Sequence, residues 1–265
     1  IINPLEKIWN GYSDTRMGAS MDSYLNGYND PRLPVYFQPV TEGDNKGEYR
    51  GVANGMPNPQ QDDYKAMSAP NVQEKSTDSP LRWMMASEVA FLRAEGAMRG
   101  WTAEMGGTAE EFYNKGIELS FLENGLSADA AARYAADETS KPTDFTDVSA
   151  ANTKYNISAL GKITIKWNAG ASEEEQLERI ITQKWIAMFP NGTEAWSEFR
   201  RTGYPLIFPV RSNYPTSGVD TNKQIRRMVF PQSEYSNNGA AVQEAVKLLG
   251  GPDNGGTKLW WDKKN

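Results

Sequence analysis

Residues 172–205 read SEEEQLERIITQKWIAMFPNGTEAWSEFRRTGYP and leave the fold little freedom. Leu177, Ile181, Trp185 and Met188 recur at helical spacing, which predicts one buried stripe on a helix of roughly four turns. Ser172 and Glu175 stand at the S-x-x-E spacing of a capping box, which sets where that helix begins. Pro190-Asn191-Gly192 ends it. Thr193 is then placed to cap a second, short helix with Trp196 and Phe199 inward, stopped by Gly203 in a left-handed turn and by Pro205, which lacks an amide donor. Two helices joined by so short a turn pack as a hairpin. Trp185, Trp196 and Tyr204 read as packing residues, since large aromatics bury readily, with ligand contact as the alternative. Arg200 and Arg201 suit either bidentate bonds that hold a loop to carboxylates or a solvated surface.

Composition removes much chemistry. With no cysteine and no histidine among 265 residues, the chain has no disulfide framework, no thiol nucleophile, no zinc site of the usual nitrogen and sulfur type, and no Ser-His-Asp triad. A net charge of −6 gives no electrostatic footprint for nucleic acid. No run approaches 18 consecutive apolar residues, the length that marks a membrane-spanning helix. Carboxylates are plentiful, and a pair of them suffices for glycoside hydrolysis. Those of Glu173-Glu174-Glu175 and Asp62-Asp63 occupy helix-start and loop positions. The loop from Glu42 to Glu48 offers oxygen ligands for calcium but lacks the residue order of a helix-loop-helix calcium site. No glycine-rich phosphate loop follows a strand. The reading therefore assigns no catalytic residue, no metal and no cofactor.

Residues 1–79 are crowded with Pro, Gly, Asn and Asp, and such a long irregular segment is uncommon unless it is functional or packs on other parts. Met21 to Leu25 reads as helical. Asn29-Asp30-Pro31-Arg32-Leu33 reads as a turn capped by Asp30. Between Thr41 and Asn71 the segment is polar but carries Tyr49 and Tyr64, with Arg50, Asn54, Asn58 and Gln60 between them. Aromatics on polar loops are where a sugar stacks its apolar face while amides and Arg bond its hydroxyls; pinning of the loop to the core is the other role for each tyrosine. Tyr36, Tyr49, Arg50 and Tyr64 are the candidate ligand contacts.

Residues 81–100 and 108–125 predict a second helical hairpin. Leu81, Met84, Met85, Phe91, Leu92 and Met98 supply an inward face, and Thr108 and Glu111 form a capping box. Ala94, Ala97 and Gly100 followed by Tyr113 and Ile117 show the small-then-large pattern of a tetratricopeptide repeat. Ser127 caps a third helix over about 128–137, residues 141–156 are loop, and 163–167 form a brief strand or extended piece. Residues 205–236 are loop, and Asn238 caps a last helix over 240–249 that Gly250-Gly251 closes.

QKWIAMFPNGTEAWSEFRRTGYP resembles the signature of the SusD/RagB family of outer-membrane nutrient-binding lipoproteins. Asp30-Pro31-Arg32-Leu33 is similar to that family's D-x-R-L element, AEGAMRGW at 94–101 to its final repeat unit, Arg226-Arg227 with FPQSEYSNN at 230–238 to its R-R-x-x-[FY]-P-x-x-E element, and Trp260-Trp261-Asp262 to its terminal W-W-D. The resemblance implies a mainly α, SusD-like fold of tetratricopeptide-like helical hairpins with long irregular loops. The chain then divides into a loop-rich segment (1–80), a tetratricopeptide-like hairpin (81–125) and C-terminal helices and loops (126–265). It also implies a surface-exposed, lipid-anchored protein of the Bacteroidetes type that binds a glycan without catalysis and passes it to a SusC-like TonB-dependent transporter. A signal sequence, a lipidated cysteine and further repeats are expected upstream of Ile1. The competing expectation is a helical module that binds a peptide or protein and no sugar; an exposed apolar groove along the repeat would mark it.

Overall fold

The computed structural model describes residues 4–57, 61–71, 82–213 and 217–264; Asn58, Gln60 and Leu81 lie outside them. The chain opens with α1 (Pro4–Glu6) and a π-helical turn, then α2 (Ala19–Gly27), the one-turn helices α3 (Leu33–Tyr36) and α4 (Gln61–Tyr64), and α5 (Ala86–Met98). α6 (Thr102–Met105), α7 (Ala109–Glu123), α8 (Ala128–Ala135), α9 (Glu173–Ala187), α10 (Gly192–Thr202) and α11 (Gln232–Leu248) complete it. Among the described residues the only β pairing is three isolated bridges, Gly18 with Val52, Phe37 with Pro70 and Phe145 with Ile157. Residues 163–167 form no strand, and the chain bends at Ile165 and Lys166.

The hairpin of α5 and α7 carries the core. Gly116 explains how closely the two helices approach: a Cβ there would lie 2.7 Å from the Phe91 ring. Phe91 meets Tyr113 edge-on at 6.3 Å, and the Tyr113 hydroxyl donates to the Ile165 carbonyl at 2.5 Å, which fastens the segment 163–167 to the pair. α9 packs on α5 and α7, and α8 on α7. Both capping boxes form as their spacing requires, Thr108 with Glu111 and Ser172 with Glu175, and Ser127 caps α8.

Four local expectations are corrected. Met84 and Leu92 are exposed; α5 begins only at Ala86 with Met85 as its cap, so Met84 precedes the helical period, and the buried face is Met85, Ala90, Phe91, Ala94 and Ala97. α10 is capped by Asn191, whose side chain accepts from the Glu194 amide at 3.2 Å, not by Thr193. Its buried residues are Glu198 and Thr202, while Trp196 and Phe199 are half-buried. The reason is Lys184 on α9, 1% exposed at its side chain, whose Nζ lies 2.6 Å from Glu198 and 2.7 Å from Glu194; an ammonium inside the hairpin draws the carboxylates inward. Asn238 does not start the last helix. It departs from helical dihedrals (φ −144°, ψ 35°) inside α11, which begins six residues earlier at Gln232.

The two arginines of the signature diverge. Arg201 forms a bidentate pair with Glu95 on α5, both bonds 2.6 Å, and also bonds Glu198. Arg200 stacks on Trp196, 3.6 Å from the ring centroid, and donates to the Arg226 carbonyl. Arg226 in turn holds Asp262 of the terminal W-W-D by two bonds of 2.7 and 2.6 Å.

At the centre lies Arg32, 0% exposed. Its fork pairs with Asp30 at 2.9 and 2.6 Å, and its remaining donors reach Ser120 on α7 (3.0 Å), Tyr134 on α8 (3.3 Å) and Gln183 on α9 (3.0 Å). Asp30 also accepts from the Arg32 amide at 2.9 Å, so the turn cap and the ion pair are one device. Removing one member of a buried pair strands the other, at a cost of about 3–5 kcal/mol. Asp30→Ala is expected to lower stability by that amount in urea denaturation, whereas Lys247→Ala, which removes the exposed Lys247–Glu244 pair, is expected to change it by less than about 0.5 kcal/mol.

Glu178 on α9 is 8% exposed, and its Oε1, like Arg179 Nη1 and Thr182 Oγ1, has no hydrogen-bond partner among the described residues. Burial pushes its carboxyl from the ordinary 4.5 up to about 7, opposed by Arg179 and reinforced by Glu175 and Glu174. A raised acid stabilises the fold while protonated, so this contribution is complete below the unfolded value and is lost as pH climbs through the folded one, by roughly 2–3 kcal/mol. Glu178→Gln is therefore expected to be near neutral at pH about 4 and stabilising by about 2 kcal/mol at pH about 8, read from chemical denaturation at the two pH values.

Candidate functional site

The loop-rich segment is laid onto α2 by backbone pairing. The Ala19 amide donates to the Val52 carbonyl and the Val52 amide to the Met17 carbonyl, at 2.9 and 2.8 Å. Gly51 permits this approach, because a Cβ there would stand 2.9 Å from the Asp22 side chain and 3.0 Å from the Gly18 carbonyl carbon. The next two residues back along the chain, Arg50 and Tyr49, consequently sit over Asp22 and Asn26 of α2.

Together with Glu48, Thr143, Asp144 and Thr146, these four line an open cleft of about 590 Å³. Tyr49 is half-buried, with one side of its ring against the main core, and its hydroxyl makes no hydrogen bond to the described residues. Arg50 donates to the Thr146 carbonyl at 2.6 Å and to Asn45 Oδ1 at 3.3 Å, and lies 3.7 Å from Asp22 and 3.5 Å from Glu48. Asp22 accepts from Asn26 at 2.7 Å and from the Gly51 amide at 2.6 Å. Burial raises its pKa above the ordinary carboxylate value against the opposing pull of those bonds and of Arg50. Asn26 also donates to the Tyr49 carbonyl at 2.8 Å. The result is an aromatic face held rigidly on a polar floor, an arrangement that binds by stacking and hydrogen bonding.

The four candidate contacts separate. Tyr49 and Arg50 share this cleft. Tyr64 lines a neighbouring cavity of about 600 Å³ with Met17, Asn54, Met56 and Lys65. It is 6% exposed; its hydroxyl bonds Asp147 at 3.0 and 3.2 Å and accepts from Asn152 at 2.7 Å, and burial and Asp147 push its pKa up to about 12. Tyr36 belongs to neither. It is 2% exposed, packed 4.9 Å from the Phe189 ring, with its hydroxyl bonded to Asn124. It follows Arg32 by one helical turn, so the turn that drives Arg32 into the core carries Tyr36 with it. Asp22, Asn26 and Thr146 were not among the candidates; the only trace they leave in the sequence is the i, i+4 spacing of Asp22 and Asn26 on a short helix.

A third cavity, about 720 Å³, runs between α7 and α8 over Ala128, Ala132 and the edge of Trp167, with Glu110, Glu118 and Asp129 on its rim. Among the described residues no cluster of acidic side chains is placed to hold a metal, and no helix is long and apolar enough to cross a membrane.

The model for the family described as Susd and RagB outer membrane lipoprotein matches residues 1–262. Among solved structures, a chitin-binding SusD homologue from Flavobacterium johnsoniae is 43% identical, with a TM-score of 0.90, over 100% of this chain and 53% of that one. A SusD-like protein from Bacteroides thetaiotaomicron is 44% identical with a TM-score of 0.89 over 98% and 53%, and a SusD homologue from Bacteroides vulgatus 38% identical with a TM-score of 0.91 over 100% and 52%. This chain thus spans about half the length of those structures. No curated protein matches it. The family match over nearly the whole chain, and these likenesses in both sequence and fold, carry one conclusion: the chain belongs to the SusD-like family of outer membrane lipoproteins.

Proposed function

We propose that this protein captures a glycan at the cell surface without turnover, in the cleft over α2, and passes it to a TonB-dependent outer-membrane transporter. The observation that carries this reading is Tyr49, an aromatic half-exposed on a polar cleft, with its hydroxyl uncommitted and its backbone fixed from below by Asn26. A pyranose has an apolar face that covers such a ring and a rim of hydroxyls that reaches the polar floor. Arg50 is anchored by its bonds to the Thr146 carbonyl and Asn45, which hold it in place beside Tyr49. None of the cleft's carboxylates is assigned a hydrolytic role in this reading: Asp22 is committed to Asn26 and Gly51, while Glu48, 3.5 Å from Arg50, and Asp144, which accepts from the Ala159 amide at 2.8 Å, act as ligand acceptors. The Flavobacterium relative is described as chitin-binding, which makes N-acetylglucosamine oligomers the first glycan to try.

A second reading is favoured by the alanine-floored cavity between α7 and α8, which suits a peptide helix, because small residues let helical backbones approach closely. Calorimetry of the protein against oligosaccharides, with mixed peptides alongside, separates the two; saturable glycan binding without product supports capture, and peptide binding alone supports the module. Tyr49→Ala is expected to weaken glycan binding by about tenfold, or 1.4 kcal/mol, with an unchanged melting temperature. Tyr64→Ala is expected to cost about 3 kcal/mol or more of stability, because that ring and hydroxyl are buried in the loop's own support. Loss of stability in the Tyr49 variant instead would assign Tyr49 to pinning the loop.

A further inference from the structure

The polar groups of the Tyr49 cleft are unevenly shared between donors and acceptors. Among the described lining residues its one cationic side chain is Arg50, which hydrogen-bonds the Thr146 carbonyl and Asn45 and shares its charge with Asp22 and Glu48 at 3.7 and 3.5 Å. Both amide hydrogens of Asn26 are used, on Asp22 and on the Tyr49 carbonyl. What stays open to an incoming molecule is Glu48 and Asp144, both exposed, the Asn26 side-chain oxygen, and the hydroxyls of Tyr49 and Thr146, none of which is otherwise bonded to the described residues beyond the Glu48–Arg50 pair and the Asp144–Ala159 bond. Ionised carboxylates and amide oxygens only accept. Counting formal charge, Asp22, Glu48 and Asp144 stand against Arg50 alone, an excess of two negative charges around one open space.

We propose that the cleft selects its saccharide by charge, with Glu48 and Asp144 as the residues that favour neutral or amino-bearing sugars and exclude sugars carrying carboxylates or sulfates. The inference rests on the reading of this cleft as a saccharide site and adds the class of saccharide. A sugar hydroxyl or ammonium supplies the donors that Glu48, Asp144 and the Asn26 oxygen lack. A uronate or sulfate group brings only acceptors and a like charge, and the one cation it meets among the described lining residues, Arg50, is already outweighed by Asp22, Glu48 and Asp144. Discrimination of this kind works through repulsion of the wrong ligand as much as attraction of the right one, and because Glu48 and Asp144 are exposed it is screened by salt.

The test uses matched oligosaccharide pairs that share a backbone and differ in charge: glucosamine oligomers with and without N-acetyl groups, and galacturonan oligomers with and without methyl esters. Each is titrated at mildly acidic pH, where the amines are protonated and the carboxylates ionised, in about 20 mM and about 500 mM salt. Whichever backbone binds decides the question. The expected order is amine no weaker than acetamide, and free acid at least about tenfold weaker than ester at low salt, the gap narrowing in high salt. The double variant Glu48→Gln, Asp144→Asn keeps the oxygens that Arg50 and Ala159 use and is expected to reduce either gap to less than about threefold, with thermal melting unchanged. A free acid bound as tightly as its ester, an acetamide bound more tightly than its amine, or a charge order that survives the double variant overturns charge selection while leaving saccharide binding intact. Binding of none of these oligomers, with peptides bound instead, overturns the saccharide reading itself and this inference with it.

Discussion

The buried pair of Asp30 and Arg32 joins parts of the chain that lie far apart in sequence. The loop-rich first segment has little core of its own, and Arg32 ties it simultaneously to α7, α8 and α9 through Ser120, Tyr134 and Gln183. A desolvated guanidinium is tolerable only if every donor is met. Asp30 meets the fork edge-on at 2.9 and 2.6 Å, and the rings of Phe121 and Tyr134 lie 5.1 and 5.3 Å from its centre. A lysine would present a single point of charge to four separated acceptors and could not make this junction. The pair also orients the next stretch of chain: Tyr36 enters the core behind Arg32, and the backbone leaves α3 toward Phe37, whose pairing with Pro70 begins the path that ends over α2.

The helices were legible because their signals are local. Capping boxes at Thr108 and Ser172, the αL glycine at Gly203 and the cap at Ser127 act within four residues, and the structure realises each of them. The misreadings have two causes, a distant partner that outbids a local preference and a helix start displaced from its local signal. Trp196 and Phe199 have the hydrophobicity to turn inward, yet Lys184, ten and fourteen residues upstream of Glu194 and Glu198, draws those carboxylates inside instead. Asn238 has every property of a cap, but the helix already begins at Gln232 and Asn238 becomes a break inside it.

The candidate site was less legible than the fold for the same reason. Tyr36, Tyr49 and Tyr64 look alike in a polar, glycine-rich sequence, and what separates them is which distant group each meets: Asn124 for Tyr36, Asp147 and Asn152 for Tyr64, and none for the hydroxyl of Tyr49. The floor beneath Tyr49 comes from α2 and from residues 143–146, more than ninety positions from Arg50 in the case of Thr146. No periodicity in the sequence encodes that meeting. Gly51 is the nearest thing to a sign of it, a residue whose missing side chain lets the segment touch Asp22 and Gly18.

The way this cleft is held bears on how it can bind. Every polar group that fixes it is bonded to the protein itself: Arg50 to Thr146, Asn26 to the Tyr49 carbonyl, Asp22 to Gly51. A ligand therefore finds the aromatic face already in position, and little conformational entropy remains to be lost on binding. The same packing sets Asp22 and Glu48 against Arg50, so the contacts that hold the cleft also offset its positive charge. If Arg50 were free to swing toward a ligand, the cleft would gain a cationic donor but lose the anchor that joins the segment at 48–51 to residues 143–146, and Tyr49 would no longer have a fixed floor on which to present its ring.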